Sequence, residues 1–307
     1  MKAVMYHYVR EYNAKAPRFR FLDVQNFRLQ LDYFEQHFGF VSQGEWRAFL
    51  ADGTMPLGKI VLTFDDATSC HYNYVFPELV KRGLWGIFYV PTLPYVEEKM
   101  LDVHRVHLLC GALDARDLLS SALTKIDDSM IPDSKRAEFR EKTYETQENY
   151  AGVSEFKRLV NYFLHHEHKE WLLDQLGDEF GVTFDPKSFY VPRPALKEMA
   201  QANMTLGSHT HTHPVMSKLN PELQNRELHM SFRFLEDAIG ESGLKTYCHP
   251  YGGFHTFDDA TVGLLGSYQV DFAFNVEGRD IDATDHEQSK FFLPRYDCNT
   301  FEHGKAS

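Results

Sequence analysis

Two acids, Asp65 and Asp66, stand side by side at the end of the β-forming run VLTF, residues 61–64. Neighbouring carboxylates repel one another unless a metal or other cation separates their roles. The chain offers further ligands for such a metal. A second strand-like run, MTLGSH, leads into His209, His211 and His213, followed by Pro214. At a spacing of four, one helical turn would set the His209 and His213 imidazoles on the same side, with His211 pointing elsewhere. Asp66, His209 and His213 then make one oxygen and two nitrogen donors, a set suited to a catalytic divalent metal with a position open for water. A third turn, YCHPYGGF at residues 247–254, is short and rich in Pro and Gly. Such a turn exposes a backbone N–H, for example that of Tyr251, which can stabilise an oxyanion.

Three turns of this kind meet only if the strands ahead of them are parallel, because parallel strands present their C-terminal ends on one face. Strand-like and helix-like runs do alternate for most of the chain, the signature of parallel α/β architecture. AVMYHYV, VLTF, LWGIFYVPT, MTLGSH, KTYC, YQVDFAFNV and KFFLPRYD read as strands. Val24, Phe27, Leu31, Phe34 and Phe38 fall at helical spacing, Ser42 to Glu45 reads as a capping box, Gly83 ends the helix of HYNYVFPELVKRG, and Asn220 with Pro221 opens another.

The rhythm breaks from about Met100 to Tyr190. ARDLLSSALTKI, SKRAEFREKTYETQENY and SEFKRLVNYFLHHEHKEWLLDQLGDEF are long, charged and amphipathic. We expect a helical insertion over residues 100–190 within one α/β domain that spans 1–307. The run HHEHKEW, residues 165–171, lacks the HExxH spacing and reads as a solvated helix face.

With 307 residues, 43% hydrophobic and 25% charged, the composition is that of a folded, water-soluble protein. A formal net charge of −12 argues against a nucleic-acid-binding surface but leaves room for an anionic small substrate at Arg193 or Arg295. Cys70, Cys110, Cys248 and Cys298 are widely and irregularly spaced, which predicts reduced thiols. The opening MKAVMYHYVREYN lacks the apolar stretch of a signal peptide, and no segment approaches a membrane span, so no membrane insertion is expected and the default location is cytoplasmic.

At these residues the chain resembles the polysaccharide deacetylases, the NodB-like carbohydrate esterases. The family's first motif, Thr-Phe-Asp-Asp-Gly, is similar to Thr63-Phe64-Asp65-Asp66-Ala67; its second, His-Ser/Thr-x-x-His-Pro, is matched in full by His209 through His213 to Pro214; its third, Arg-x-Pro-Tyr-Gly, is matched from Pro250 through Tyr251 to Gly252. The resemblance implies a distorted (β/α) barrel and metal-dependent removal of an N-linked acyl group from an amino sugar. It implies that Asp66, His209 and His213 bind the metal, usually zinc, and that Asp65 is the general base. The Tyr251 N–H would share the charge of the developing oxyanion.

Two departures matter. The Arg of the third motif falls at Cys248, and a thiol cannot replace a guanidinium. Arg295, near where the family's last motif carries its acid histidine, is the candidate to hold Asp65 instead. The general acid is then open among His7 in YHYV, His249 and His255. Ala67 in place of the usual Gly suggests a turn that needs no positive φ.

An insertion acting as a cap, and the lack of an export signal, point to a small soluble acetamido sugar, nucleotide-linked or acidic, from surface-glycan biosynthesis. Rival readings are a deacylase or deformylase of a lipid-linked sugar, another metal hydrolase such as a phosphoesterase, and a carbohydrate-binding protein that keeps the metal without catalysis.

Overall fold

The computed structural model describes residues 1–137, 139, 153–240 and 243–306. Most of the helix expected over 134–150 lies outside the described residues. The rest forms two compact units: one of residues 1–11, 21–99 and 186–306, the other of residues 12–20 and 100–185.

The larger unit is built on seven parallel strands, curled as a half-barrel of the (β/α) type. These are β1 (Lys2–Tyr6), β4 (Ile60–Phe64), β5 (Ile87–Val90), β6 (Thr205–Ser208), β7 (Thr246–Cys248), β8 (Phe272–Phe274) and β9 (Tyr296–Asp297), in the order β8-β7-β6-β5-β4-β1-β9. β2 (Val9–Arg10) and β3 (Leu22–Asp23) form a separate parallel pair. Every residue of β4 and β5 is buried, as strands covered on both faces require, which is why they read as unbroken apolar runs. β1 pairs with β4 from Lys2↔Ile60 to Tyr6↔Phe64, and the ladder carries on one step, with the Asp65 N–H donating to the Tyr6 carbonyl at 2.9 Å.

The sequence signals for helix ends hold. Ser42 and Glu45 make a reciprocal capping box at the start of the Gln43–Asp52 helix, and Asn220 caps the Pro221–Ile239 helix through the Leu223 N–H at 2.9 Å. The helix ahead of Gly83 opens as a π-helical turn, His71–Val75, before the α-helix Phe76–Lys81. Pro77 has no N–H to give the preceding turn, which fits the wider opening there. Of the strand expected over KFFLPRYD, only Tyr296–Asp297 pairs as one, with Leu293 in a lone bridge to Phe274. Pro294, lacking a donor, interrupts the ladder.

The chain leaves this unit after Lys99 and returns at Pro186, yet β5 and β6 on either side are hydrogen-bonded neighbours, Val90 against Ser208. The register across this break sets the β4 and β6 ends close together. The second unit has its own core, in which Val106, Leu109, Leu118, Phe156, Leu172 and Leu176 pack together. Its buried Arg105 pairs with Asp102 and Asp174 and lies over the Phe184 ring. Residues 12–20 join it through the Arg18 N–H on the Gly111 carbonyl at 2.8 Å. Nothing in their pattern announced that. No helix among the described residues is long and apolar enough to cross a membrane.

Candidate active site

Asp65 and Asp66 follow β4 directly. The backbone then turns through left-handed conformations at Asp66 (φ 80°) and Ala67 (φ 46°). This corrects the expectation that the missing glycine marked a turn without positive φ. The turn is held from outside: the Ala67 carbonyl accepts the Val191 N–H at 2.8 Å, Thr68 bridges Tyr190, and the Ala67 methyl is buried in the main core.

His209 follows β6 in the same way. Residues 209–213 are not a helical turn, because Thr210 (φ 64°) and His213 (φ 58°) are left-handed and the His213 N–H donates to Thr210 Oγ1 at 2.9 Å. This tighter loop still directs both imidazoles to one point. His209 Nε2 and His213 Nε2 each lie 3.6 Å from Asp66 Oδ1, and the two rings sit 4.7 Å apart at 78°. His209 Nδ1 donates to the Cys248 carbonyl at 2.9 Å, which fixes the tautomer that leaves Nε2 a bare acceptor.

Oxygen and both nitrogens fall within 4.8 Å of one another, and all three residues are buried. One carboxylate with two imidazoles in that space fits a divalent metal. A second set of Asp65, His209 and Cys248 is as compact. It fits less well, because Arg295 engages both Asp65 oxygens and burial holds the Cys248 thiol protonated, well above its usual range.

Asp65 is almost fully buried and meets Arg295 through two parallel bonds, Nη1 to Oδ1 at 2.8 Å and Nη2 to Oδ2 at 2.9 Å. Burial alone pushes this carboxyl upward; Arg295 and then His209 outweigh it and hold it below its ordinary value. Arg295 is itself fixed: Nε donates to the Asn275 carbonyl at 3.1 Å, Nη1 to Thr63 Oγ1 at 3.1 Å, and Nη2 reaches Cys248 Sγ at 2.9 Å. Asn275 also accepts the Gly253 N–H at 2.6 Å. Sequence reasoning missed Asn275, since a single Asn after the run FAF carries no signal.

The third turn follows β7, with Tyr251, Gly252 and Gly253 all left-handed. At Gly252 a Cβ would stand 2.2 Å from Val276 Cγ2, so no other residue fits. Tyr251 lies edge-on to His213 at 4.8 Å with half its surface exposed, which puts this turn at the rim of the same cluster.

Residues 171–273, about a third of the chain, match the family model of the polysaccharide deacetylases. That stretch of the chain is similar to the polysaccharide deacetylases. The fold agrees across nearly the whole length of the chain. A Streptococcus pyogenes deacetylase, PplD, in complex with acetate superposes with a TM-score of 0.58 at 16% identity, covering 97% of this chain and 91% of that one. IcaB from Ammonifex degensii gives 0.50 at 17% identity over 89% and 83%. A de-N-acetylase from Aggregatibacter actinomycetemcomitans gives 0.51 at 14% identity over 96% and 93%. At such identities the likeness is one of fold. No curated protein matches the chain.

Against this deacetylase-type frame the three histidines proposed as general acid part ways. His7 follows β1 half-buried, and its carbonyl accepts from His71 Nε2. His249 is excluded. Its Nε2 is committed to the Phe291 carbonyl at 2.8 Å, its ring stacks on Phe257 at 3.8 Å, and burial drives its pKa down to about 3. A ring that is neutral at working pH, with its one N–H already donated, has no proton to give. His255 is exposed, and its contacts are with the Ser217 hydroxyl and the Gly253 turn.

His249 shares its condition with His71, which burial lowers to about 4. Both depressed values lie below the unfolded 6.5, so the unfolded chain binds more protons as soon as pH falls through that value. The stability that these two neutral rings contribute is therefore fully present above pH 6.5 and lost progressively toward about 4 and about 3. The free energy of urea unfolding should begin to fall near pH 6, above the carboxylate range, by on the order of several kcal/mol in sum, and the urea midpoint should fall with it. A midpoint constant from pH 7 to 5 contradicts the buried, neutral state of these rings.

Proposed function

We propose that the chain hydrolyses the N-acyl group of an amino sugar, the acetamido group foremost. The observation that carries this reading is Asp65, ionised and gripped by Arg295, directly beside the Asp66–His209–His213 donor set. A divalent metal held by those three residues, zinc foremost, would supply Lewis acidity and a lowered water pKa at neutral pH.

The chain's own residues do the rest. Asp65 Oδ takes the proton of the water whose oxygen bonds to the acyl carbon, and Arg295 keeps that carboxylate charged and aimed. The Tyr251 N–H donates to the acyl oxygen as negative charge gathers there. When the C–N bond breaks, the amine nitrogen takes up a proton, and His7 is the donor we assign. Acetate and the free amino sugar leave.

A sugar is supported by the exposed rings at the rim. Tyr251 (51% exposed) and Phe254 (56%) offer flat apolar faces, with Phe254 backed by Phe257 and Phe292 at 5.9 Å each. All four cysteines are free thiols, which suits a reducing, cytoplasmic setting, where small acetamido sugars are assembled ahead of export. We therefore place the substrate among small soluble sugars, nucleotide-linked or acidic.

The test is acetate release by zinc-loaded protein from N-acetylated nucleotide sugars, free sugars, lipid-linked sugars and N-acetylglucosamine oligomers, each with and without a chelator. The expected result is acetate from a small sugar, lost on chelation and restored by zinc. Acetate from oligomers or lipid-linked sugars alone overturns the small-substrate reading. Sugar binding without acetate from any substrate, metal in place, overturns hydrolysis and favours a binding protein.

A further inference from the structure

The loop that carries His209 and His213 has two non-glycine residues in left-handed conformation, Thr210 and His213, and no secondary structure of its own to hold them there. A loop strained in this way keeps its shape only if its surroundings over-determine it. Its carbonyl side is tied to the segment after β5, where the Thr92 and Leu93 N–H groups donate to the Thr210 and His211 carbonyls at 3.2 and 2.9 Å. Its amide side faces the Pro221–Ile239 helix, and there one side chain meets three donors. Glu227 Oε2 accepts the His211 N–H at 2.9 Å and the Thr212 N–H at 2.7 Å, while Oε1 accepts the Thr212 hydroxyl at 2.7 Å. One helical turn on, at Ser231, the same face reaches the loop's root: Ser231 Oγ lies 2.6 Å from Ser208 Oγ, which accepts the Thr210 N–H at 3.2 Å.

We propose that Glu227 is a positioning residue for the metal centre, setting the loop geometry that aims His209 and His213 at Asp66. The inference rests on the metal reading given above. Glu227 touches none of the three ligands' donor atoms. It grips His211 and Thr212, two of the three residues between His209 and His213, so its removal frees two adjacent N–H groups and lets the loop relax toward unstrained backbone. A carboxylate is not required for this work. A glutamine oxygen can accept both N–H groups while its amide nitrogen donates to Thr212 Oγ1, which can act as acceptor as well as donor.

The experiment is calorimetric titration of metal-free protein with zinc in competition with a chelator, together with the visible absorption of the cobalt-substituted form and thermal unfolding without metal. Glu227→Ala should bind zinc about 10- to 100-fold more weakly, with an altered cobalt spectrum. Glu227→Gln should keep both near wild type. Should the alanine variant fail to fold, Glu227→Asp, too short to reach all three donors, takes its place with the same expectation. Wild-type affinity and spectrum in the alanine variant, even with a lower unfolding temperature, overturn the inference. Equal losses in the glutamine and alanine variants also overturn it, because charge and not loop geometry would then be at work. A wild-type chain that takes up no zinc or cobalt removes the metal reading itself, and this inference with it.

Discussion

Asp65→Asn should lower kcat for acetate release by about 10²- to 10⁴-fold, the usual share of a general base, while the bound zinc stays at one per chain. The substitution is isosteric, and Asp66, His209 and His213 do not change. The amide cannot accept a proton from water, so the loss falls on the chemical step and KM moves little. Asp66→Asn is the contrasting variant: it removes the oxygen donor from the buried set and should reduce metal content along with activity. Two adjacent carboxylates thus separate into two phenotypes. Turnover of Asp65→Asn within tenfold of wild type would place the base elsewhere and remove the main support for the proposed chemistry.

The gathering of these residues was legible in the sequence, because strand ends are local features, whereas the split of roles between Asp65 and Asp66 rests on the resemblance to the deacetylase motif. VLTF and MTLGSH are short apolar runs with chemistry-bearing residues directly after them, and parallel pairing carries such residues to one face whatever lies between. The gathering of Asp66, His209 and His213 needs only that topology. What lay beyond reach depends on tertiary packing. Ala67 takes a positive φ because Val191 and the surrounding core hold it there, and a residue type alone cannot report an external clamp. His249 looked available because it stands in a polar turn; its burial against Phe257 and Phe291 comes from residues distant in sequence or hidden in a loop. Residues 12–20 read as a simple connection, yet they pack with the helical unit. Glu227 sits on the polar side of an amphipathic pattern, where a glutamate is normally solvated. Arg295 was in view through its position alone; its double bond to Asp65 is a matter of distance that no spacing rule supplies.

Arg295→Met should be the most destabilising single change in the site, by about 3–5 kcal/mol, since it leaves a buried carboxylate without its partner. Burial would then act on Asp65 with its largest counterweight gone, so the carboxyl pKa rises. The sign follows for activity: the acid limb of the kcat/KM profile moves to higher pH, and the fraction of ionised base at pH 7 falls. Arg295→Lys should recover part of the stability and little of the rate, because an ammonium cannot make two parallel bonds to one carboxylate. In the double variant Asp65→Asn/Arg295→Met no buried charge is left unpaired, so its stability should exceed that of Arg295→Met while its activity stays at the Asp65→Asn level. Coupling of this kind separates a broken ion pair from lost packing. A stricter form uses Cys248, whose sulfur lies 2.9 Å from Arg295 Nη2 and whose sequence position is that of the arginine in the deacetylase motif the turn resembles. Adding Cys248→Arg to Arg295→Met should return a guanidinium to Asp65 from the end of β7 and restore the original acid limb. If the double variant folds and binds zinc yet keeps the shifted limb, orientation by Arg295 from its own segment matters as much as its charge.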